Sequence, residues 1–324
     1  MTSPTRFSYG FLALLLVLVI WLHLAVPLLA VLFSLFVLNK LTFGKHKWLA
    51  VVLFILVIAG VSYGAVHFLR AAVVAFPKIA ETSIPSVLAW AQSRNIELPF
   101  SDYSSLKDLA VDTVREQLHS VGTLARGATS HLVFLLIGAV VAISLFLNSQ
   151  LDLDRHSHRV KNNLYSLCCE AIAERFFALY QSFSTVMGAQ IVISLINTLL
   201  TTVFVFIVHL PYGLVVIGVT FLCGLLPVVG NLISNTIIVG VAFTISPRFA
   251  FIALIFLIVV HKLEYFLNSK IVGDRIRNPV WLTLLGLLIG EKLMGLPGMI
   301  LAPVILNYIR VETSQIEVVT PPKE

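Results

Sequence analysis

Apolar positions in this chain run in long blocks, separated by short polar connections and two longer polar stretches. The first block, Ser8–Leu38, would reach roughly 46 Å as one helix at about 1.5 Å per residue, against a hydrocarbon core of about 30 Å. It therefore either tilts and projects, or folds into two short passes near His23–Pro27. Trp48–Leu69 reads as an ordinary span. Residues 77–127 are mixed instead. Ser105 and Asp108 resemble a capping box, and Leu106, Leu109, Ala110, Thr113, Val114, Leu118 and Val121 keep a helical period. Extramembrane helices packed on a partner surface are expected there. After the apolar block His131–Asn148, residues 151–185 turn from polar to amphipathic. Their stripe Leu164, Leu167, Cys168, Ala171, Ile172, Phe176, Leu179, Tyr180 and Phe183 suits a helix at the cytoplasmic interface or one packed against the spans.

The C-terminal part repeats a pattern. Val186–His209 is span-like and is followed by the interrupted block Leu214–Ile245, broken by GLLPVVGN at Pro227 and Gly230. Phe249–Asn268 is span-like and is followed by Val280–Ile309, broken by GEKLMGLPG with Gly290, Gly295 and Gly298. Leu214–Ile245 would extend about 48 Å as one helix, too long for a single pass at ordinary tilt. Folded back, each arm reaches about 21 Å, and the Pro227–Gly230 tip lies near mid-membrane. Non-helical backbone at that depth is tolerated against protein or water.

Charge bears on the choice between a kink and a hairpin. NKLTFGKHK carries Lys40, Lys45 and Lys47 without an acid, a positive-inside signal. Residues 77–127 carry five basic and six acidic side chains, which fits the outside. The connection 268–279 holds Lys270, Arg275 and Arg277 against Asp274 and prefers the cytoplasm. Reading both interrupted blocks as hairpins places that connection inside and yields two span-plus-hairpin units of opposite orientation, a recurrent plan of secondary transporters.

Composition sets the class. Of 324 residues 58% are hydrophobic and 12% charged, against about 25% charged in soluble domains. The chain reads as an all-α polytopic membrane protein. Expected regions are 1–76, N-terminal transmembrane helices; 77–127, an extracytoplasmic amphipathic helical segment; 128–150, a transmembrane helix; and 151–185, a cytoplasmic or interfacial amphipathic helix. Residues 186–311 follow as a transport repeat with broken helices, and 312–324 as a cytoplasmic tail. The net charge of +6 belongs to cytoplasmic loops rather than to nucleic-acid binding. Cys168, Cys169 and Cys223 offer neither a disulfide framework nor a metal knuckle, and no cofactor is expected. The first block is too long for a cleaved signal peptide. Nucleotide-binding, serine-hydrolase and zinc-protease motifs are absent, so the chain reads as a non-enzyme driven by a gradient.

Ionisable residues inside apolar blocks are candidate site residues because they are costly to bury. His261, Glu264 and Asn268 share one helical face, where a carboxylate beside an imidazole can bind a cation or pass a proton. Glu291 and Lys292 lie in the second break. Gln190, Asn197 and Thr201 give Val186–His209 a polar side, suited to interhelical hydrogen bonds or to lining a polar path. Pro227, Gly230 and Asn231 at one tip, and Gly295 and Gly298 at the other, complete the set.

The segments GLLPVVGN, LEYFLNSKIVGDRI and LTLLGLLIGEKLMGLPGMILAPVIL resemble the autoinducer-2 exporter family of permease-like bacterial inner-membrane proteins. The likeness is specific over residues 186–311 and is one of layout before them. Two departures are Ser269, where a proline is usual, and a spacing after Glu264 one residue short. The resemblance implies about eight membrane segments, cytoplasmic termini and homo-oligomers, a pentamer among the options. It also implies a small solute, or a monovalent cation such as sodium, lithium or the proton, as cargo. A non-transporting membrane scaffold and a gradient-independent channel are the rival readings.

Overall fold

The computed structural model describes residues 3–42, 44, 46–96, 132–148, 163–226, 229–267 and 279–317. These form α1 (Ser3–Trp21), α2 (Ala25–Lys40), α3 (Lys47–Ser93), α4 (Leu132–Leu147), α5 (Leu164–Val208), α6 (Gly213–Gly224), α7 (Val229–Phe243), α8 (Pro247–Leu267), α9 (Val280–Met294) and α10 (Leu296–Ser314). No strand occurs among the described residues. Pro4–Trp21, Lys47–Ser93 and Leu164–Val208 are long and apolar enough to cross a membrane, and α2, α4, α6 and α7 are shorter apolar helices. Exposed Leu, Ile, Val and Phe cover much of their surface, as expected where lipid replaces water. The chain is a multi-pass membrane protein.

Local chemistry explains the helix ends. Asn163 Oδ1 accepts from Ser166 N at 2.9 Å and caps the start of α5. α8 opens at Pro247, where a missing N–H costs nothing. The block Ser8–Leu38 divides into α1 and α2 at His23, whose φ of 56° is left-handed. Two boundaries differ from the sequence expectation. The helix begun at Lys47 does not stop near Leu69 but runs for 47 residues to Ser93, through Pro77 and Pro85. The amphipathic stretch and the span Val186–His209 are likewise one 45-residue helix, roughly 68 Å long. Polarity changes along both helices without ending either, although Pro77 and Pro85 donate no backbone hydrogen bond within α3. The segments expected at 105–121 and 268–278 lie outside the described residues.

Two compact units share these helices. The first comprises Met1–Leu56, His131–Gly188 and Arg275–Glu324. Within it Leu38, Ala50, Val51, Phe54, Ala142 and Phe146 form a core where α2, the start of α3 and α4 meet. Gly138 brings α4 against α2, for a Cβ there would stand 2.5 Å from Ala30 Cβ. In the same unit α9 and α10 fold back on each other. Gly290 faces Gly298, and Gly286 faces Ala302, so one index falls as the other rises. The reversal is made at Gly295, with φ 64° and ψ −145°, a conformation essentially reserved for glycine.

The second unit comprises Val57–Ser130 and Ala189–Asp274. Its core joins Ala72, Ala75 and Ile79 of α3, Phe204 and Val205 of α5, Val215, Val216 and Val219 of α6, Ile238, Val241 and Ala242 of α7, and Ala250, Ala253 and Leu257 of α8. Val216 and Val241 share this core although a straight continuation would separate them by about 37 Å. The first interrupted block is thus an antiparallel pair.

Candidate functional site

α5 presents a polar seam to the α6–α7 pair. Gln190 Nε2 donates to the Gly224 carbonyl at 2.6 Å, and Ser194 Oγ donates to the Phe221 carbonyl at 2.7 Å. Both carbonyls belong to the last turn of α6, which has no helical partners left to offer them. Gly224 lets the seam close, since a Cβ there would sit 2.5 Å from Ser194 Oγ. Gly230 does the same across the tip, where a Cβ would fall 1.7 Å from the Cys223 carbonyl oxygen.

That packing brings Asn231, in the first turn of α7, to α8. Asn231 Nδ2 donates to Glu264 Oε1 at 2.7 Å, and Asn197 Nδ2, one turn along the α5 seam, donates to Glu264 Oε2 at 3.1 Å. His261 Nδ1 stands 3.6 Å from Glu264 Oε2, one turn back on the same helix. Its Nε2 meets Asn235 Nδ2 at 2.8 Å. The Glu264 side chain is 12% exposed and that of His261 49%. Among the described residues no Lys or Arg pairs with Glu264. Two carboxamides donate to it, and the His261 imidazole stands beside it.

A cavity of about 20 Å³ adjoins the carboxylate, lined by Asn197, Thr201, Thr220, Asn231, Ser234 and Glu264 among others. It has room for about one water-sized occupant. Asn197 is 6% exposed, and its Oδ1 has no hydrogen-bond partner among the described residues. A buried orphan acceptor is costly, and this one lies on the side chain that binds Glu264 and lines the cavity.

The structure therefore brings together Asn197, Asn231, His261 and Glu264, with Gly230 beside them. Pro227 and Asn268 lie outside the described residues. Glu291, Gly295 and Gly298 belong to the α9–α10 pair in the other compact unit and do not line this cavity. The Glu291 side chain is exposed, and its carbonyl accepts from Gly295 N at 2.7 Å in the turn. Asn235 is absent from the sequence-derived set. Its signal was its spacing, one turn after Asn231 and so on the same face of α7.

The family model described as "AI-2E family transporter" matches residues 9–315. A Bacillus subtilis (strain 168) protein named "Putative transport protein YdbI" is 27% identical over 175 residues, covering 53% of this chain and 49% of that protein. The alignment thus spans about half the length of that relative. With the family match extending through both paired-helix blocks and the Glu264 cluster, the chain belongs to the AI-2E transporter family.

Proposed function

We propose that this chain is a secondary transporter of a bacterial cytoplasmic membrane that exchanges a monovalent cation for protons at Glu264. One observation carries the reading: a carboxylate in an apolar helix, held by Asn197 and Asn231, opens onto a cavity sized for a single ion or water. Placing a carboxylate among apolar helices costs several kcal/mol, roughly, unless it is well partnered. Its retention there favours a role in carrying charge. A proton and a small hard cation compete for the same oxygens, and the orphan Asn197 Oδ1 supplies a further ligand of the type sodium and lithium accept. A small organic solute does not fit the cavity in this conformation, which places solute export second.

In this reading both paired-helix blocks are re-entrant. α6 and α7 have 12 and 15 residues, about 18 and 23 Å, each short of a core of about 30 Å. The basic connection 268–279 favours entry of the two pairs from opposite faces.

The test is exchange in proteoliposomes holding the purified full chain, read with a pH-sensitive dye as sodium or lithium is added. Glu264→Gln keeps the side-chain shape and removes the carboxylate, and it is expected to abolish exchange. Unchanged exchange in that variant would refute the role. Efflux of a small organic solute without cation-dependent proton movement would favour the export reading.

A further inference from the structure

A second buried charge cluster lies in the first unit, apart from Glu264. The Tyr9 hydroxyl of α1 donates to Glu312 Oε2 of α10 at 2.5 Å and accepts from Arg175 Nη1 of α5 at 3.0 Å. Arg175 also pairs with Glu312 and stands 5.0 Å over the Tyr9 ring. The side chains of Arg175 and Glu312 are 15% and 6% exposed. Arg175 Nη2 reaches the exposed Glu174 at 3.1 Å.

Two features set this cluster apart from a plain structural staple. Its polar atoms are incompletely satisfied, for Arg175 Nε and the nearby Tyr308 hydroxyl are buried without partners among the described residues. A half-satisfied buried network stabilises less than an apolar core. The second feature is α1 itself. Its buried side chains are Ser8, Leu12 and Val19, on one narrow face, while Phe7, Phe11, Leu14, Val17, Leu18 and Trp21 are exposed. With so little packing, the polar cluster is a principal tie at its N-terminal end. The other end of α1 meets α2 at Leu22–Leu24, where His23 holds φ 56°. That conformation is uncommon for a residue with a Cβ and is a natural pivot.

We infer that α1 is a releasable strap, hinged at residues 22–24 and latched by Tyr9 onto the Arg175–Glu312 pair. Opening gives the two orphan atoms access to solvent partners, which lowers the cost of release. Closing trades that hydration for the charge-assisted bonds of the phenol. The strap stands independently of the exchange reading, because it is read from conformation and not from flux.

The test places spin labels at Arg6→Cys and Thr313→Cys in the full chain, with Cys168, Cys169 and Cys223 replaced by serine, in lipid nanodiscs. Tyr9→Phe removes one hydroxyl and is expected to raise the long-distance population about tenfold, the change that follows from losing one hydrogen bond to a charged group. Arg175→Gln reads the same latch from the other helix and serves if Tyr9→Phe does not fold. Distances unchanged in the folded variants overturn the inference. So does a uniform loss of thermal stability with no separation of α1 from α10, which marks a staple.

Discussion

Asn231 and Glu264 stand 33 positions apart and meet through a 2.7 Å hydrogen bond from carboxamide to carboxylate. The residue before Asn231 makes this possible. Gly230 lies so close to the Cys223 carbonyl that no side chain fits there, and the resulting approach of α7 to α6 sets Asn231 against α8. Asn231→Ala is therefore expected to leave the fold intact and to weaken apparent cation affinity about tenfold, the size of one bond to a charged group. Concentration dependence of exchange in proteoliposomes measures it. Wild-type affinity in a folded Asn231→Ala protein would remove Asn231 from the site.

Gly230 and Gly240 make a matched pair for a stability test, since both lie on α7. A Cβ at Gly230 would be 1.7 Å from a backbone oxygen, whereas one at Gly240 would meet only Ser83 Oγ at 4.0 Å. Backbone cannot yield as a flexible side chain does, so Gly230→Ala must part α6 from α7. A loss of about 1–3 kcal/mol or more is expected. Gly240→Ala is expected to be neutral or slightly stabilising, because alanine is the better helix former. Thermal denaturation of the detergent-solubilised protein distinguishes the two. Equal melting temperatures would contradict the close approach at the tip.

Gln190 ties the hairpin to α5 through the Gly224 carbonyl at 2.6 Å. Gln190→Leu keeps comparable volume and leaves that carbonyl uncapped, which costs about 1–3 kcal/mol for a buried acceptor. The expected result is a lower melting temperature together with impaired exchange, because the same seam carries Asn197. A variant that melts like wild type would show that water or a neighbouring group caps the helix instead.

Much of this site was legible because ionisable and amide side chains stand out in apolar blocks. His261 and Glu264 declared themselves by spacing on one helix, and Gln190, Asn197 and Thr201 by a shared polar face. The targets of those groups were not legible. The Gly224 carbonyl is exposed to Gln190 only because α6 ends there, and Asn197 reaches Glu264 across 67 positions. The continuity of α3 past Leu69 and of α5 across residues 185–186 was not legible for a different reason. Polarity reports the surroundings of a helix, while its termination depends on backbone hydrogen bonds, and Pro77 and Pro85 did not end α3. The Tyr9–Arg175–Glu312 cluster left no local pattern, since its members are 137 and 303 positions from Glu312.

The fold-back of α6 on α7 makes a prediction about sides of the membrane. His209 precedes the pair and Arg248 follows it, and both are exposed. If the pair is re-entrant, the chain returns to the face it left, and cysteines at the two positions react with an impermeant maleimide from the same side. A single kinked pass puts them on opposite sides. The α9–α10 pair is bracketed likewise by Trp281 and Gln315, both exposed. Reversal at Gly295 expects these two on one side, and opposite entry of the pairs expects that side to be the other face from His209. Labelling single-cysteine variants in intact cells and in inverted vesicles, with Cys168, Cys169 and Cys223 replaced, reads all four positions. His209 and Arg248 on opposite faces would sink the re-entrant reading of the first pair, even with the Glu264 cluster intact. All four on one face would retain both hairpins and remove the inverted orientation that the basic connection suggests.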